Sequence, residues 1–71
     1  MIIINELSQL ISIPIKDASK FIDIAFFSHV RAKIDFQTSD HVQFLIDGYI
    51  NDLDFLIEEL ILEKIDVFCI L

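Results

Sequence analysis

Two alternating segments joined by a short polar stretch constrain the fold more than any other feature of this sequence. In residues 31–36 and 41–47 every second side chain is apolar. These apolar positions are Ala32, Ile34, Phe36, Val42, Phe44 and Ile46. Successive side chains of a strand point to opposite faces, so each segment is predicted to be a half-buried strand. The intervening QTSD is rich in turn formers, and together the segments predict a β-hairpin.

The segment from Asp17 to about Val30 is predicted to be a helix. Asp17 is a good N-cap candidate, because its carboxylate can accept hydrogen bonds from the first turn. At 100° per residue, five apolar residues fall on one broad face, and three others fall elsewhere. The first group is Ala18, Phe21, Ile22, Ile24 and Ala25, and the second is Phe26, Phe27 and Val30. The helix is therefore apolar on more than one side, and one sheet cannot cover it.

Residues 50–64 are predicted to form a second helix, capped by Asn51 or Asp52, and Asp47-Gly48 is predicted to interrupt the secondary structure before it. Its main apolar stripe consists of Ile50, Leu53, Leu56, Ile57, Leu60 and Ile61. Phe55 and Leu62 lie together on the opposite side, where acidic residues flank them.

The two ends of the chain complete the element order. Residues 66–71 predict a strand with Val67, Cys69 and Leu71 on one face and Phe68 and Ile70 on the other. In the first sixteen residues, LISIPI alternates like a strand whose proline suits an edge or a strand end. The preceding residues leave two alternatives: an MIII strand with a turn at NELSQ, or a short helix over INELSQLI.

Together these elements predict one small domain over residues 1–71, in the order strand, helix, strand, strand, helix, strand. Two crossovers around a hairpin give an α+β fold of the ferredoxin-like βαββαβ type, an antiparallel sheet with both helices packed on one face. That arrangement hosts many unrelated functions, so the fold class alone identifies none.

The charge distribution constrains the partners. The formal net charge is −7, and residues 34–71 carry nine acids against the single base Lys64. Such a surface repels phosphate backbones, so direct nucleic-acid binding is not expected, whereas a basic protein surface is a suitable partner. Charges interrupt every long apolar stretch, and the start lacks a basic segment, so neither a membrane span nor a signal peptide is predicted. We expect a cytoplasmic protein.

Few side chains are candidates for catalysis. Cys69 lies in an apolar run, so we expect a buried structural thiol. A small enzyme using His41 or His29 with Asp35 or Asp47 is the least favoured hypothesis, because no motif brings these residues together. The sequence has no metal-ligand spacing, and a single glycine cannot make a phosphate-binding loop. We predict no enzymatic activity, no cofactor and no metal.

Hydrophobic residues make up 55% of the chain, which is high for a domain with so small an interior. The last strand is apolar on both faces, but helices on one side cover only one face of the sheet. The sequence therefore predicts a homodimer or an assembly subunit that pairs sheet to sheet through Leu45, Phe68 and Ile70.

The resulting functional hypothesis is a non-enzymatic protein-interaction module. Its most concrete form is a small acidic inhibitor, such as an immunity protein, an antitoxin-like protein or a phage anti-defence protein. The second helix would contact a basic partner through apolar anchors inside an acidic rim. The predicted contact residues are Asp52, Asp54, Phe55, Glu58, Glu59, Leu62 and Glu63. The alternative is a dimeric regulatory domain that binds a small molecule between subunits.

Overall fold

The computed structural model describes residues 6–70, which form a four-stranded antiparallel sheet and two α-helices. The elements are β1 (Glu6–Pro14), a 3₁₀ turn (Ile15–Asp17), α1 (Ala18–Phe27), β2 (Arg31–Gln37), β3 (His41–Tyr49), α2 (Ile50–Leu62) and β4 (Phe68–Cys69). The predicted α+β class and the predicted succession of strands and helices are confirmed. The last strand, predicted over residues 66–71, is limited to Phe68–Cys69, and Leu71 lies outside the described residues.

The strands lie in the order β2-β3-β1-β4, and every neighbouring pair is antiparallel. The hairpin of β2 and β3 is confirmed, with Thr38 at its turn accepting the amide hydrogens of Asp40 and His41. β1 pairs with β3 from Glu6 opposite Tyr49 to Pro14 opposite His41. The two longest strands are therefore central, and β2 and β4 form the edges.

The structure decides between the alternatives for the N-terminal segment. Residues 6–14 are a strand, so the helix over INELSQLI and the turn at NELSQ are both wrong for the described residues. The nine-residue ladder with β3 gives the backbone N–H and C=O groups of this segment their hydrogen-bond partners, and a helix there would lose these inter-strand hydrogen bonds. Pro14 ends the strand, as predicted, and the proposed MIII strand lies outside the described residues.

The core lies between one face of the sheet and the two helices. Strands β1 and β3 supply Ile11, Ile13, Val42, Phe44 and Ile46, and the helices supply Phe21, Ala25, Leu53, Leu56 and Leu60. Val30 and Ile65, in the connections after the helices, complete it. Both helices thus bury their stripes against the same sheet face. The opposite face, which we call the open face, has no layer of the described chain above it.

Helix α1 differs from its prediction at both ends. Asp17 occupies the N-cap position, but its side chain makes no capping hydrogen bond, because the 3₁₀ turn already precedes the helix. The helix ends at Phe27 rather than near Val30. The Ser28 hydroxyl donates to the carbonyl of Ile24 at 2.8 Å, and His29 adopts a left-handed conformation with φ of 60°. This turn brings Val30 into the core as the chain enters β2.

Helix α2 follows β3 without a loop. Gly48 lies inside β3, so the predicted interruption of secondary structure at Asp47-Gly48 is wrong. Tyr49, still extended, occupies the N-cap position, and the predicted caps Asn51 and Asp52 already lie within the helix. Asp52 still lies in the first turn, where a carboxylate suits the helix dipole. The helix ends at Leu62, two residues before the predicted end.

Candidate interaction surfaces

Much of the apolar content lies on the surface. Among residues 6–70, fourteen large apolar side chains are exposed, against twelve apolar residues buried in the core. The exposed set comes from both helices and from all four strands. Isolated exposed apolar residues are ordinary, whereas contiguous ones mark interaction surfaces. The fold brings several of these side chains together on the surfaces described below.

On the open face of the sheet, the exposed side chains of Phe68 and Ile70 adjoin the half-buried Leu10 and Leu45. Leu45 lies opposite Leu10 on the neighbouring strand. The amide of Ile70 donates to the carbonyl of Leu10 at 2.9 Å, and Phe68 lies opposite Ser12. The three residues predicted for the oligomer interface thus lie on one face of the sheet, with Leu45 on β3, Phe68 on β4 and Ile70 just after β4, and Leu10 of β1 lies between them.

A β-bulge adds a residue that the sequence pattern assigned to the other face. Ile34 pairs with Phe44 on the helix side, but Phe36 pairs with Gln43, whose neighbours on the next strand lie on the open face. The irregularity lies between Ile34 and Phe36, so Asp35 is the extra residue. The predicted common face of Ala32, Ile34 and Phe36 is wrong at its last member. We call Leu10, Phe36, Leu45, Phe68 and Ile70 the open-face patch.

Polar pairs lie at the border of the open-face patch and among its members. The Arg31 guanidinium donates to the carboxylate of Asp47 and lies 3.8 Å from a carboxylate oxygen of Glu6. The hydrogen bond with Asp47 raises the pKa of Arg31, whose guanidinium is always charged in proteins. On the same face, the Gln43 side-chain amide donates to Asp35 at 2.7 Å. Gln43 lies across the sheet between Phe36 and Ser12, so this polar pair lies among the members of the patch, whereas the Arg31 pairs lie at its border.

The outer side of α2 carries the predicted partner-binding residues. Phe55 and Leu62 are both exposed, 49% and 73% respectively, and lie two helical turns apart. Asp54 and Glu58 are exposed around them, whereas Asp52 and Glu59 are half-buried. We call Asp54, Phe55, Glu58 and Leu62 the acidic helix surface.

Glu63, predicted as part of that surface, is engaged within the chain. Its carboxylate lies 2.8 Å from the ammonium nitrogen of Lys20 on the first turns of α1. Hydrogen bonding and attraction to Glu63 raise the pKa of Lys20. This ion pair joins the end of α2 to the start of α1, so Glu63 contributes less net charge to a partner than the sequence suggested.

Sequence reasoning missed an apolar groove on the other side of α1. The groove encloses about 330 Å³ between α1 and the edge strand β2. Its lining residues are Ile22, Ala25, Phe26, Val30, Arg31 and Ala32. Phe26 was correctly separated from the main stripe of its helix, and Ile22 at i−4 lies beside it. The two adjacent apolar residues were the sequence signal for one wall of the groove. The other wall belongs to β2, and only the tertiary structure places that strand beside α1.

The candidate catalytic residues lie in different environments. His29 is exposed in the turn after α1, and the His41 ring lies edge-on to Phe68 with centroids 5.8 Å apart. Cys69 is exposed, so the expected burial is wrong. It pairs with Ile11 on the helix side, but β4 is a two-residue edge strand that leaves the thiol open. Within residues 6–70, no three histidine, cysteine or acidic side chains are grouped as metal ligands.

Comparison with protein-family models, curated proteins and solved structures finds no significant match. In the described part of the chain, neither helix has the length and apolar character that crossing a bilayer requires. The interpretation of function therefore rests on the surfaces themselves.

Proposed function

We propose that this protein is a non-enzymatic protein-interaction module that works as a homodimer or as a subunit of a larger assembly. The observation that carries the proposal is the open-face patch, to which all four strands contribute apolar side chains and over which residues 6–70 place no covering layer. A second copy can cover this face sheet to sheet, as the two layers of a β-sandwich do. Burying the patch supplies the apolar contact that a small core lacks.

We assign the fold to the ferredoxin-like βαββαβ type. The strand order β2-β3-β1-β4, with antiparallel neighbours and both helices on one face, supports this assignment. In such a fold the sheet has one helical layer only, and this leaves the other face for a partner.

The second part of the proposal is that the acidic helix surface docks a basic partner protein in the cytoplasm. Its most concrete form is a small acidic inhibitor of the immunity, antitoxin-like or phage anti-defence kind. Phe55 and Leu62 would enter apolar pockets of the partner, and Asp54 and Glu58 would meet its basic residues. Aromatic anchors inside a charged rim are typical of interface hot spots, and complementary charge raises the rate of association.

Analytical ultracentrifugation tests self-association. We expect the wild-type chain to sediment at twice its mass of 8.2 kDa at micromolar concentrations. Phe68→Glu places a charge in the open-face patch and should give a monomer. Phe27→Glu is the matched control, because Phe27 is 77% exposed on α1, away from that face. A wild-type monomer, or equal dissociation by both substitutions, would contradict the dimer.

Affinity capture with variant chains tests the docking surface. A protein retained by the wild-type chain should be lost with Phe55→Ala combined with Glu58→Lys, and its binding should weaken as salt rises. The control is Asp23→Lys, a charge reversal at an exposed position of α1. Retention by the double variant, or equal loss with Asp23→Lys, would show that another surface binds the partner.

A further inference from the structure

The outer edge of β2 is open for strand pairing. β2 is seven residues long and lies at the end of the sheet, so within residues 6–70 its only neighbouring strand is β3. The N–H and C=O groups that point away from β3 therefore form a template for an added strand. The bulge at Asp35 interrupts this template, which leaves Arg31–Ile34 as its regular part.

The apolar groove borders the same edge on the helix side. Ala32 forms its floor on the strand, and Ile34 continues that side of β2 with 56% of its surface exposed. Phe26 forms the opposite wall from α1 and is 78% exposed. A strand added to β2 would direct every second side chain into this groove. The groove volume of about 330 Å³ is at the lower end of the range for ligand pockets.

The other side of the same edge carries two bases, one of them already paired. Arg31 and Lys33 alternate with Ala32 and Ile34, so they lie on the open-face side. Arg31 is already paired with Asp47, whereas Lys33 makes no ion pair with any residue between 6 and 70. An acidic side chain on an added strand, placed opposite Lys33, would supply that partner.

A second copy of this chain does not fit the edge. Two copies of β2 can pair antiparallel, with the apolar side chains of both on the same face, only if the two-fold axis lies between a residue and its own copy. An axis at Ala32 places Arg31 of one copy opposite Lys33 of the other. An axis at Lys33 places the two copies of Lys33 opposite each other. Both arrangements bring like charges together and are repulsive. An axis through Ile34 sets Lys33 against Asp35, but Asp35 is the bulged residue and already accepts from Gln43.

We propose that the β2 edge and the α1–β2 groove bind an extended segment of another protein in which acidic and apolar residues alternate. The segment adds a strand beside Arg31–Ile34, places its apolar side chains in the groove and sets a carboxylate against Lys33. This is recognition by strand addition, in which the backbone supplies affinity and alternate side chains supply specificity. The site is separate from the acidic helix surface and borders the proposed dimer face, because Lys33 lies opposite Leu45.

Nuclear magnetic resonance of the ¹⁵N-labelled full chain tests the proposal with blocked pentapeptides. The probe EIEVE should shift the amides of Ala32, Ile34 and Phe26. The control ESESE keeps the charge without the apolar residues, and KIKVK keeps the apolar residues with opposite charge. We expect both controls to bind at least about tenfold more weakly, because each loses one of the two contacts.

The variant Lys33→Glu completes the test, since it reverses one exposed charge. This variant should show the opposite peptide preference, so that KIKVK binds more tightly than EIEVE at the same amides. Equal binding of EIEVE and KIKVK to the wild type would overturn the proposal, as would EIEVE shifts confined to other surfaces or an absence of binding. Shifts of the β2 amides with protein concentration alone would instead assign the edge to a second copy. The same titration on Phe68→Glu separates this site from the dimer.

Discussion

The rings of Phe21 and Phe44 lie 4.6 Å apart between their centroids, tilted by 40°, and both side chains are fully buried. Phe21 comes from α1 and Phe44 from the centre of β3, so the pair joins the helical layer to the sheet. Aromatic pairs in this tilted geometry contribute beyond their buried area. The pair therefore lies at the centre of a small core.

Phe21→Ala should reduce the free energy of unfolding by about 3–5 kcal/mol, through lost burial and the cavity left behind. In a domain of this size that is most of the expected stability. Urea denaturation followed by circular dichroism measures it. The matched control is Phe27→Ala in the same helix, whose exposed ring predicts a change within about 0.5 kcal/mol. Comparable losses in the two variants would show that α1 packs through another face.

The ion pair between Lys20 and Glu63 predicts a pH dependence. Glu63 raises the pKa of Lys20, so the folded chain holds this proton more tightly than the unfolded chain. The stabilisation is complete below the ordinary pKa of lysine and is lost as the pH rises through the raised folded value. Lys20→Met should lower the urea midpoint slightly at neutral pH, and the difference should vanish at strongly alkaline pH.

Lys16→Met is the control for that measurement, since Lys16 is exposed and forms no ion pair with another residue between 6 and 70. Glu63→Gln should reproduce the effect of Lys20→Met, and the double variant should add nothing further. Additive effects of the two substitutions would contradict the pair.

Gly48 lies in a strand rather than in a turn, and this predicts that alanine is accepted there. A Cβ atom would meet its nearest neighbours, in His29 and Val30, at 3.7 Å, an ordinary contact, and the φ angle is not positive. Gly48→Ala should therefore raise the free energy of unfolding by up to about 1 kcal/mol, because alanine restricts the unfolded chain. Thermal denaturation measures the change, and a loss of stability of similar size would contradict the strand geometry.

The exposed Cys69 predicts an accessible thiol. A thiol reagent such as dithionitrobenzoate should modify the folded chain at a rate comparable with the chain unfolded in urea, since accessibility governs the reaction. Cys69→Ser, which removes the sole cysteine, should give no signal. Strong protection of the thiol in the folded state would restore the buried cysteine that the apolar run suggested.

The sequence predicts the α+β class, the succession of elements and the hairpin, because these depend on local periodicity. The main stripe of α2 is buried at Leu53, Leu56 and Leu60 as projected, although Ile50 and Ile61 of the same stripe are exposed. Phe55 and Leu62 are exposed, and Phe26 and Phe27 lie outside the core, as their positions on the helices indicate. What failed locally were the caps, since Tyr49 passes from β3 into α2 without a turn.

By itself, the sequence determined which residues alternate and which repeat with a helical period, because those patterns reflect backbone geometry over a few residues. Only the tertiary structure decided that a bulge turns Phe36 to the open face, that Gly48 continues a strand and that Cys69 is exposed. These outcomes depend on pairing between segments distant in the chain. A strand's partner fixes its register, its length and what covers it, and no local pattern contains that information.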